Sequence, residues 1–174
     1  MQLATQLIQE ISPKHLLKHP FYQDWSHGRL SKEDLKLYAR QYYHHVEAFP
    51  RYISATHSNC VELRARQVLL DNLIDEEKGE ENHPELWKRF VEGLGDNRDA
   101  VENEKLLPET RNLIDTFDRL SRSSYAQGLG ALFAYEHQVP EVAQSKISGL
   151  EKFYGVTSKR ALDFFQVHLK ADVY

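Results

Sequence analysis

An apolar helical stripe that ends in a carboxylate is the feature that most limits what this chain can fold into. Ala65, Leu69 and Leu73 recur at helical spacing, and Glu76 continues the same face. An ionised carboxylate on an inward face is costly unless a cation, a proton or a hydrogen-bond donor meets it. Because the residue before a proline avoids helical geometry, the helix should end near His83 and fold this imidazole back towards Glu76. A carboxylate beside an imidazole is half of a metal site.

The same pattern recurs on two later helices. The stripe that starts at Tyr125 ends at Glu136, with a proline shortly after it. The last helix starts at Ser158, and its inward stripe ends in His168 and Asp172, which lie on one face. Glutamate, aspartate and histidine side chains that project into a helical core build dinuclear iron and manganese sites. We therefore predict five metal ligands: Glu76, His83, Glu136, His168 and Asp172.

The residue types of this set indicate which metals it would hold. Mixed oxygen and nitrogen ligands suit Fe(II) or Mn(II), and the absence of thiolates argues against a structural zinc site. Taken singly, each residue is equally well a polar core residue with hydrogen-bond partners. Acids are rarely buried without a partner, however, so the set as a whole favours metal binding. We expect two metal ions, Fe/Fe or Fe/Mn, and no haem.

The remainder of the chain has helical patterns throughout. No run of five or more residues alternates apolar and polar side chains as a strand would. Ser31 and Asp34 resemble a capping box that starts a long helix, which Pro50 should kink and which continues to Cys60. Residues 96–105 are polar and are predicted to form a loop. We predict an all-α fold, a bundle of about seven helices, in a single domain over residues 1–174.

Composition limits the partners and the compartment. A net charge of −4 argues against nucleic acid or an anionic membrane as the main partner. No apolar run is long enough to span a bilayer, and the first residues lack a signal-peptide pattern. The single cysteine, Cys60, excludes an internal disulfide, so a reducing cytoplasm is the expected location.

Several positions are ambiguous from the sequence. Tyr22 belongs to the aromatic cluster HPFYQDW, whose rings are typical of a core. Lys146 is predicted to be a surface cation, and Tyr135 is either a core residue or an electron relay beside a predicted ligand. The tandem His44 and His45 point about 100° apart on a helix, so both cannot serve one site. We predict that these two histidines lie mainly at the surface or behind the metal ligands.

Several motifs make the chain similar to a known family: HPFYQDW, QYYHHVEAFPRYISATHSNC, NLIDEEKGEENHPELW, AYEHQVPEVAQSKISGLEKFYG and VHLKADVY. They resemble the haem-oxygenase-like di-iron oxidases, and within them the CADD-like group (Chlamydia protein associating with death domains). That group is related to pyrroloquinoline-quinone synthase and thiaminase II. The resemblance covers nearly the whole chain and implies a haem-oxygenase-like helical bundle, with the family's metal ligands on the five residues predicted above.

The family pattern ends H-x-x-x-D-x-x-H, so its sixth ligand would follow Tyr174. Either the last helix continues beyond this sequence, or one of the two metal sites is incomplete. The resemblance also implies a homodimer.

The resemblance further implies an activity and the residues that perform it. The CADD-like group is implicated in making para-aminobenzoate for folate synthesis, with the enzyme's own tyrosine supplying the ring. That tyrosine would match Tyr22, and a lysine that supplies nitrogen would match Lys146. A dinuclear iron centre activates O2, and a nearby phenol is easily oxidised, with Tyr135 placed to relay electrons or to be damaged.

Three other interpretations stay open. A di-iron oxidase could act on a free small molecule, such as an amino acid or a fatty acid, with Tyr22 only forming part of the pocket wall. An enzyme like thiaminase II would need a cysteine nucleophile, and Cys60 has no obvious base beside it. A helical interaction module with structural acids and histidines would purify without stoichiometric iron or manganese.

Overall fold

The computed structural model describes residues 2–169, and these residues are mostly helical with no β-strand among them. The all-α prediction is therefore confirmed. The α-helices are α1 (Gln2–Ile11), α2 (Pro20–Ser26), α3 (Lys32–Asn59), α4 (Leu63–Glu77), α5 (His83–Gly93), α6 (Ala100–Asn103), α7 (Pro108–Ser123), α8 (Tyr125–Glu136), α9 (Val139–Gly149) and α10 (Lys159–His168). Short 3₁₀ turns connect α1 to α2, and a π-helical turn follows α9.

The long helix α3 is the element on which the others pack. The predicted capping box starts it, because Asp34 N–H donates to Ser31 Oγ at 3.1 Å and Ser31 N–H donates to Asp34 Oδ2 at 2.8 Å. The helix continues through Pro50 to Asn59, as predicted. It contacts α4, α5, α7 and α8, so side chains from several helices converge along its length.

Two apolar clusters lie along α3 and form the core. Leu35 packs in the first cluster with Trp25 and Trp87, all of them buried. Ile53 packs in the second cluster with Leu132 of α8. The middle of α3 buries two polar side chains, Gln41 and His45.

Two details of the helical pattern differ from the sequence-based expectation. The described residues contain more helical segments than about seven, because short stretches such as α2 and α6 are also helical. Helix α6 lies inside the segment that was predicted to be a loop, and its Val101 is fully buried in the first apolar cluster. Because burial of the Val101 side chain is favourable, it stabilises a helical turn within an otherwise polar segment. No helix within residues 2–169 is both long and apolar enough to cross a membrane.

Replacement of Gly128 by alanine should destabilise the fold, because α8 and α3 touch at this glycine. A Cβ added at Gly128 would lie 2.4 Å from Oγ1 and 3.0 Å from Cγ2 of Thr56, which is fully buried. We expect the free energy of unfolding to fall by about 1–3 kcal/mol, the usual cost of overpacking.

Gly130, two positions further along α8, is the matched control, because an added Cβ there would meet nothing within 4 Å. Gly130→Ala should be neutral or stabilising by up to about 1 kcal/mol through helix propensity. Chemical denaturation of both variants measures the difference. Equal stabilities would show that α3 and α8 are not in close contact at Gly128.

Candidate metal centre

The end of α4 and the start of α5 bring Glu76 and His83 together. Gly79 adopts a left-handed φ of +86° in the turn between the helices, and Asn82 then caps α5 by accepting a 3.0 Å hydrogen bond from Glu85 N–H. His83 is the first residue of α5, and its Nδ1 is hydrogen-bonded to Glu76 Oε2. Glu76 is only 8% exposed, so this carboxylate points inward as predicted. The predicted contact between His83 and Glu76 is also present.

His168 approaches the same carboxylate–imidazole pair from the end of α10. Its ring lies 4.7 Å from the His83 ring, centroid to centroid. Its Nδ1 lies 2.6 Å from Phe164 O, and because a carbonyl oxygen only accepts, this nitrogen must carry the proton. Burial lowers the pKa of His168 to about 4, with a further contribution from His83. The imidazole is therefore neutral at pH 7, with Nε2 free to bind a metal.

These three side chains form a donor set that fits a metal ion. One ligand atom from each of Glu76, His83 and His168 lies within 4.8 Å of the other two. One carboxylate and two imidazoles from three helices give the mixed oxygen and nitrogen ligation that suits Fe(II) and Mn(II). The Nδ1–H bond from His168 to a backbone carbonyl is the type of contact that fixes the orientation of a metal-binding histidine.

Glu136 lies close to this set but not within it. It is the last residue of α8, and Asn72 Nδ2 donates to its Oε1 at 3.1 Å. Burial raises the pKa of Glu136 to about 7, and the charge of Glu76 contributes to the rise. The two carboxylates are thus near enough to repel each other, which is the condition under which a second cation would bind well.

The fifth predicted ligand, Asp172, lies outside the described residues. The structure therefore brings together Glu76, His83 and His168, places Glu136 beside them, and leaves the role of Asp172 as a prediction. Cys60 is buried elsewhere, and its Sγ approaches Glu62 O at 3.6 Å.

Tyrosines from α3 and α8 meet beside the candidate metal centre. Tyr42 and Tyr135 are hydrogen-bonded through their hydroxyl groups. Burial raises the pKa of Tyr135 above its usual range, and the charges of Glu76 and Glu136 contribute. Both phenols therefore keep their protons near neutral pH.

The prediction for His45 was partly wrong. Its side chain is 1% exposed, its ring lies 5.1 Å from that of Tyr135, and neither ring nitrogen has a hydrogen-bond partner among the residues that the structure describes. The helical face shared by Tyr42, His45 and Phe49 explains its position in the core. His44 is only partly exposed, and its Nε2 is also buried, with no partner within residues 2–169.

The expectation that Lys146 is a surface cation was also wrong. Its side chain is 4% exposed and lies on the inner face of α9. Nζ donates to Tyr38 OH at 2.5 Å and lies 5.3 Å from the centre of the Tyr22 ring. Burial lowers the pKa of Lys146 to about 7. Tyr22 is half-buried, and burial raises the pKa of its phenol.

Two cavities adjoin these residues. A large cavity of about 1010 Å³ borders the Glu76, His83 and His168 side chains and also Glu136. A small cavity of about 20 Å³ is lined by Tyr22, Tyr135, Lys146 and His168, among others. His168 and Tyr135 border both cavities, so the metal-ligand side of the site and the tyrosine–lysine side are adjacent.

Three contributors to this site were missed from the sequence. Asn72 lies one helical turn before Glu76 on the same face, and this spacing was a usable signal. Tyr38 and Tyr42 were assigned only to the apolar stripe of α3. Their hydroxyl partners, Lys146 and Tyr135, come from helices distant in sequence, so no local pattern could have revealed these pairs.

Sequence comparison finds relatives of this chain. Residues 36–174 match the sequence model of the family described as iron-containing redox enzyme. A 4-aminobenzoate synthase from Chlamydia muridarum is 45% identical, and the match covers 99% of this chain and 74% of that protein. A 4-aminobenzoate synthase from Nitrosomonas europaea is also 45% identical, over 94% of this chain and 71% of that protein.

A solved structure supports the fold independently of close sequence similarity. The crystal structure of a TenA homolog from Pseudomonas syringae pv. tomato superposes with a TM-score of 0.81 at 21% identity, covering 97% of this chain and 72% of that one. The haem-oxygenase-like bundle expected from the motifs is therefore confirmed. With 139 matched residues, from 36 to 174, and close relatives along the whole chain, the protein belongs to the family of iron-containing redox enzymes.

Proposed function

We propose that this redox enzyme makes 4-aminobenzoate, with Tyr22 supplying the ring and Lys146 the nitrogen. The small cavity is the observation that supports this most. Tyr22, Lys146 and His168 all border it, and its volume of about 20 Å³ is close to the space of one water molecule. An aromatic substrate from solution does not fit between these groups, so a ring that reacts there is one the chain already contains.

The carbon skeleton of the product agrees with a tyrosine origin. The ring and carboxyl carbon of 4-aminobenzoate correspond to the ring and Cβ of a tyrosine side chain. Release of this unit requires cleavage of the Tyr22 Cα–Cβ bond and leaves a glycine-like residue at position 22. Transfer of the nitrogen requires cleavage of the Lys146 Cε–Nζ bond and loss of the phenol oxygen, and O2 is the oxidant that converts Cβ to the carboxyl carbon. Each chain could then react only once, because its ring is consumed.

We propose that the metal site is dinuclear, Fe/Fe or Fe/Mn. Glu76, His83 and His168 would hold the metal, and Glu136 and Asp172 would complete the set. When bound, the metal pair supplies redox chemistry with O2, the proposed co-substrate. Carboxylate ligands that lie close enough to repel each other without a cation, as Glu76 and Glu136 do, favour binding of more than one positive charge.

The burial of Lys146 suits a nitrogen donor. An ammonium group is a poor nucleophile because its lone pair is protonated. Burial lowers the pKa of Lys146 to about 7, so a much larger share of its amines is neutral at neutral pH than for an exposed lysine, which is almost fully charged. We propose that Tyr135 and Tyr42, joined by their hydroxyl groups, lie between the metal ligands and this amine and pass electrons between them.

We further propose that the protein acts as a homodimer in the cytoplasm, without nucleic acid or membrane partners. Its net charge of −4 disfavours polyanionic partners, and its single buried thiol, Cys60, suits a reducing compartment.

A second candidate function is oxidation of a free small molecule, and the large cavity favours it. About 1010 Å³ beside the metal ligands is enough for a drug-sized compound, and many of its lining side chains are apolar. An added substrate would then be converted repeatedly, with Tyr22 intact.

Reconstitution with iron separates the two candidates. The metal-free chain is loaded anaerobically with Fe(II), or with Fe(II) and Mn(II), and exposed to air with a reductant but no organic substrate. We expect at most one 4-aminobenzoate per chain by liquid chromatography and mass spectrometry. Repeated turnover that depends on an added compound would instead favour the free-substrate oxidase.

A further inference from the structure

Tyr38 lies beside both the amine of Lys146 and the phenol of Tyr22. Lys146 Nζ donates to Tyr38 OH at 2.5 Å, and the phenols of Tyr38 and Tyr22 are near enough for each to affect the pKa of the other. The Tyr38 hydroxyl is therefore placed to orient the Lys146 amine next to Tyr22.

No ion pair competes for the Lys146 amine. Within residues 2–169, no carboxylate lies within salt-bridge distance of Nζ, and Tyr38 OH is its one hydrogen-bond partner. Aromatic rings surround the amine at 4.9–5.9 Å from their centres: Tyr22, Trp25, Tyr38, Tyr42, Trp87 and Phe165. Ring faces attract a cation from all sides but do not fix its direction. The orientation of the amine therefore depends on the Tyr38 hydroxyl.

The backbone of Lys146 is fixed separately. Trp25 Nε1 donates to Lys146 O at 3.2 Å, and α2 approaches α9 closely because Gly149 has no side chain. A Cβ on Gly149 would lie 2.6 Å from the Trp25 ring. The main chain of α9 is thus held by Trp25, whereas Tyr38 holds the end of the lysine side chain.

We infer that Tyr38 is a positioning residue, whose hydroxyl holds the Lys146 amine beside the Tyr22 ring. This inference rests on the proposed function. The role is non-covalent: Tyr38 accepts a hydrogen bond from the amine and is unchanged by the reaction.

The variant Tyr38→Phe tests this role, because it removes the hydroxyl and keeps the ring. The ring contacts of Tyr38 with Phe21, Trp25 and Trp87 should persist, so the fold should be preserved. Tyr43→Phe is the matched control. Tyr43 is also on α3, is 3% exposed, and its ring lies 5.3 Å below the amine of a different lysine, Lys88.

Two measurements are made on the full chain. In metal-free protein labelled at lysine Cε, nuclear magnetic resonance follows the protonation of Lys146 against pH, with its signal assigned from Lys146→Met. Tyr38→Phe should lower the titration midpoint by about one pH unit, because the ammonium loses its hydrogen-bond acceptor. In iron-loaded protein exposed to air, peptide mass spectrometry measures the fraction of chains whose Lys146 has changed in mass. This fraction should be at least tenfold smaller in Tyr38→Phe than in the wild type. Iron content and the Tyr43→Phe control should match the wild type.

Each result decides the inference. A Tyr38→Phe variant with the wild-type midpoint would overturn it, even if the reaction fails, since the tyrosine would then act only through packing. A Tyr38→Phe variant whose titration midpoint is shifted, but whose Lys146 is modified to the same extent as in the wild type, would overturn it as well. If the wild type changes at neither Tyr22 nor Lys146, the proposed function fails, and the titration, which needs no iron, still shows whether Tyr38 holds the amine.

Discussion

Replacement of Tyr22 by phenylalanine is expected to abolish 4-aminobenzoate formation without loss of iron binding. Phenylalanine keeps the ring and its contacts with Phe21, but it lacks the oxygen that makes a phenol oxidisable. Its Cα–Cβ bond should then stay intact in air. The product should fall below detection, from up to one equivalent per chain, when iron-loaded wild type and variant are compared by mass spectrometry.

The control for Tyr22→Phe is again Tyr43→Phe, which removes a buried phenol that borders neither of the two cavities described above. Its product yield should equal that of the wild type. Undiminished 4-aminobenzoate from Tyr22→Phe would refute the tyrosine as the ring source. Loss of product together with loss of iron would show that the substitution had disturbed the metal centre instead.

Replacement of His83 by alanine is expected to remove most of the iron affinity. Its Nδ1 is bonded to Glu76, and His168 is the neighbouring imidazole, so the variant loses one of three clustered donors. Loss of an outer residue that merely supports a metal ligand already costs about 10–100-fold in affinity. Loss of a ligand itself should cost more than about 100-fold, measured by anaerobic Fe(II) titration, and product formation should fall in parallel.

His27→Ala is the control for this second prediction, because His27 is exposed and its ring bonds to Gln23 O in the preceding turn. Iron affinity should be unchanged there. The alternative to be excluded is that Glu76 and His83 are only a structural pair. In that case His83→Ala would lower the free energy of unfolding by about 1–3 kcal/mol, through an unpaired buried carboxylate, and leave iron binding as it was.

The sequence was sufficient to predict those features of the site that depend on the spacing of residues along a single helix. Glu76 follows an apolar stripe at helical spacing, and Gly79 and Pro84 indicate a break between this helix and the next, so a contact between Glu76 and His83 could be predicted from local geometry. The break between α8 and α9 after Glu136 was predictable for the same reason. The inward position of His168 followed from Ala161 and Phe165 on the same face.

The burial of Lys146 was not predicted, although the sequence contains a signal for it. Lys146 shares one helical face with Val142 and Gly149, both of which are buried. That signal was outweighed by the general rule that lysines without a carboxylate partner stay in water. The rings that replace water around this amine come from α2, α3, α5 and α10, and only the folded structure brings them together.

Contacts between helices were the other part that the sequence could not provide. The bond between Tyr42 and Tyr135 joins residues 93 positions apart, and that between Tyr38 and Lys146 joins residues 108 apart. Each of these side chains also fits an ordinary core pattern on its own helix. Their chemical role follows from the register between helices, which depends on the packing of the whole bundle.

The origin of the ring is the central claim, and isotope labelling tests it most directly. The protein is produced with ring-labelled tyrosine at all nine positions, loaded with iron and exposed to air in unlabelled buffer. We predict labelled 4-aminobenzoate, together with an equal amount of chain whose residue 22 has lost the mass of its hydroxybenzyl group. Unlabelled product, or labelled product from chains that keep Tyr22 intact, would contradict the account.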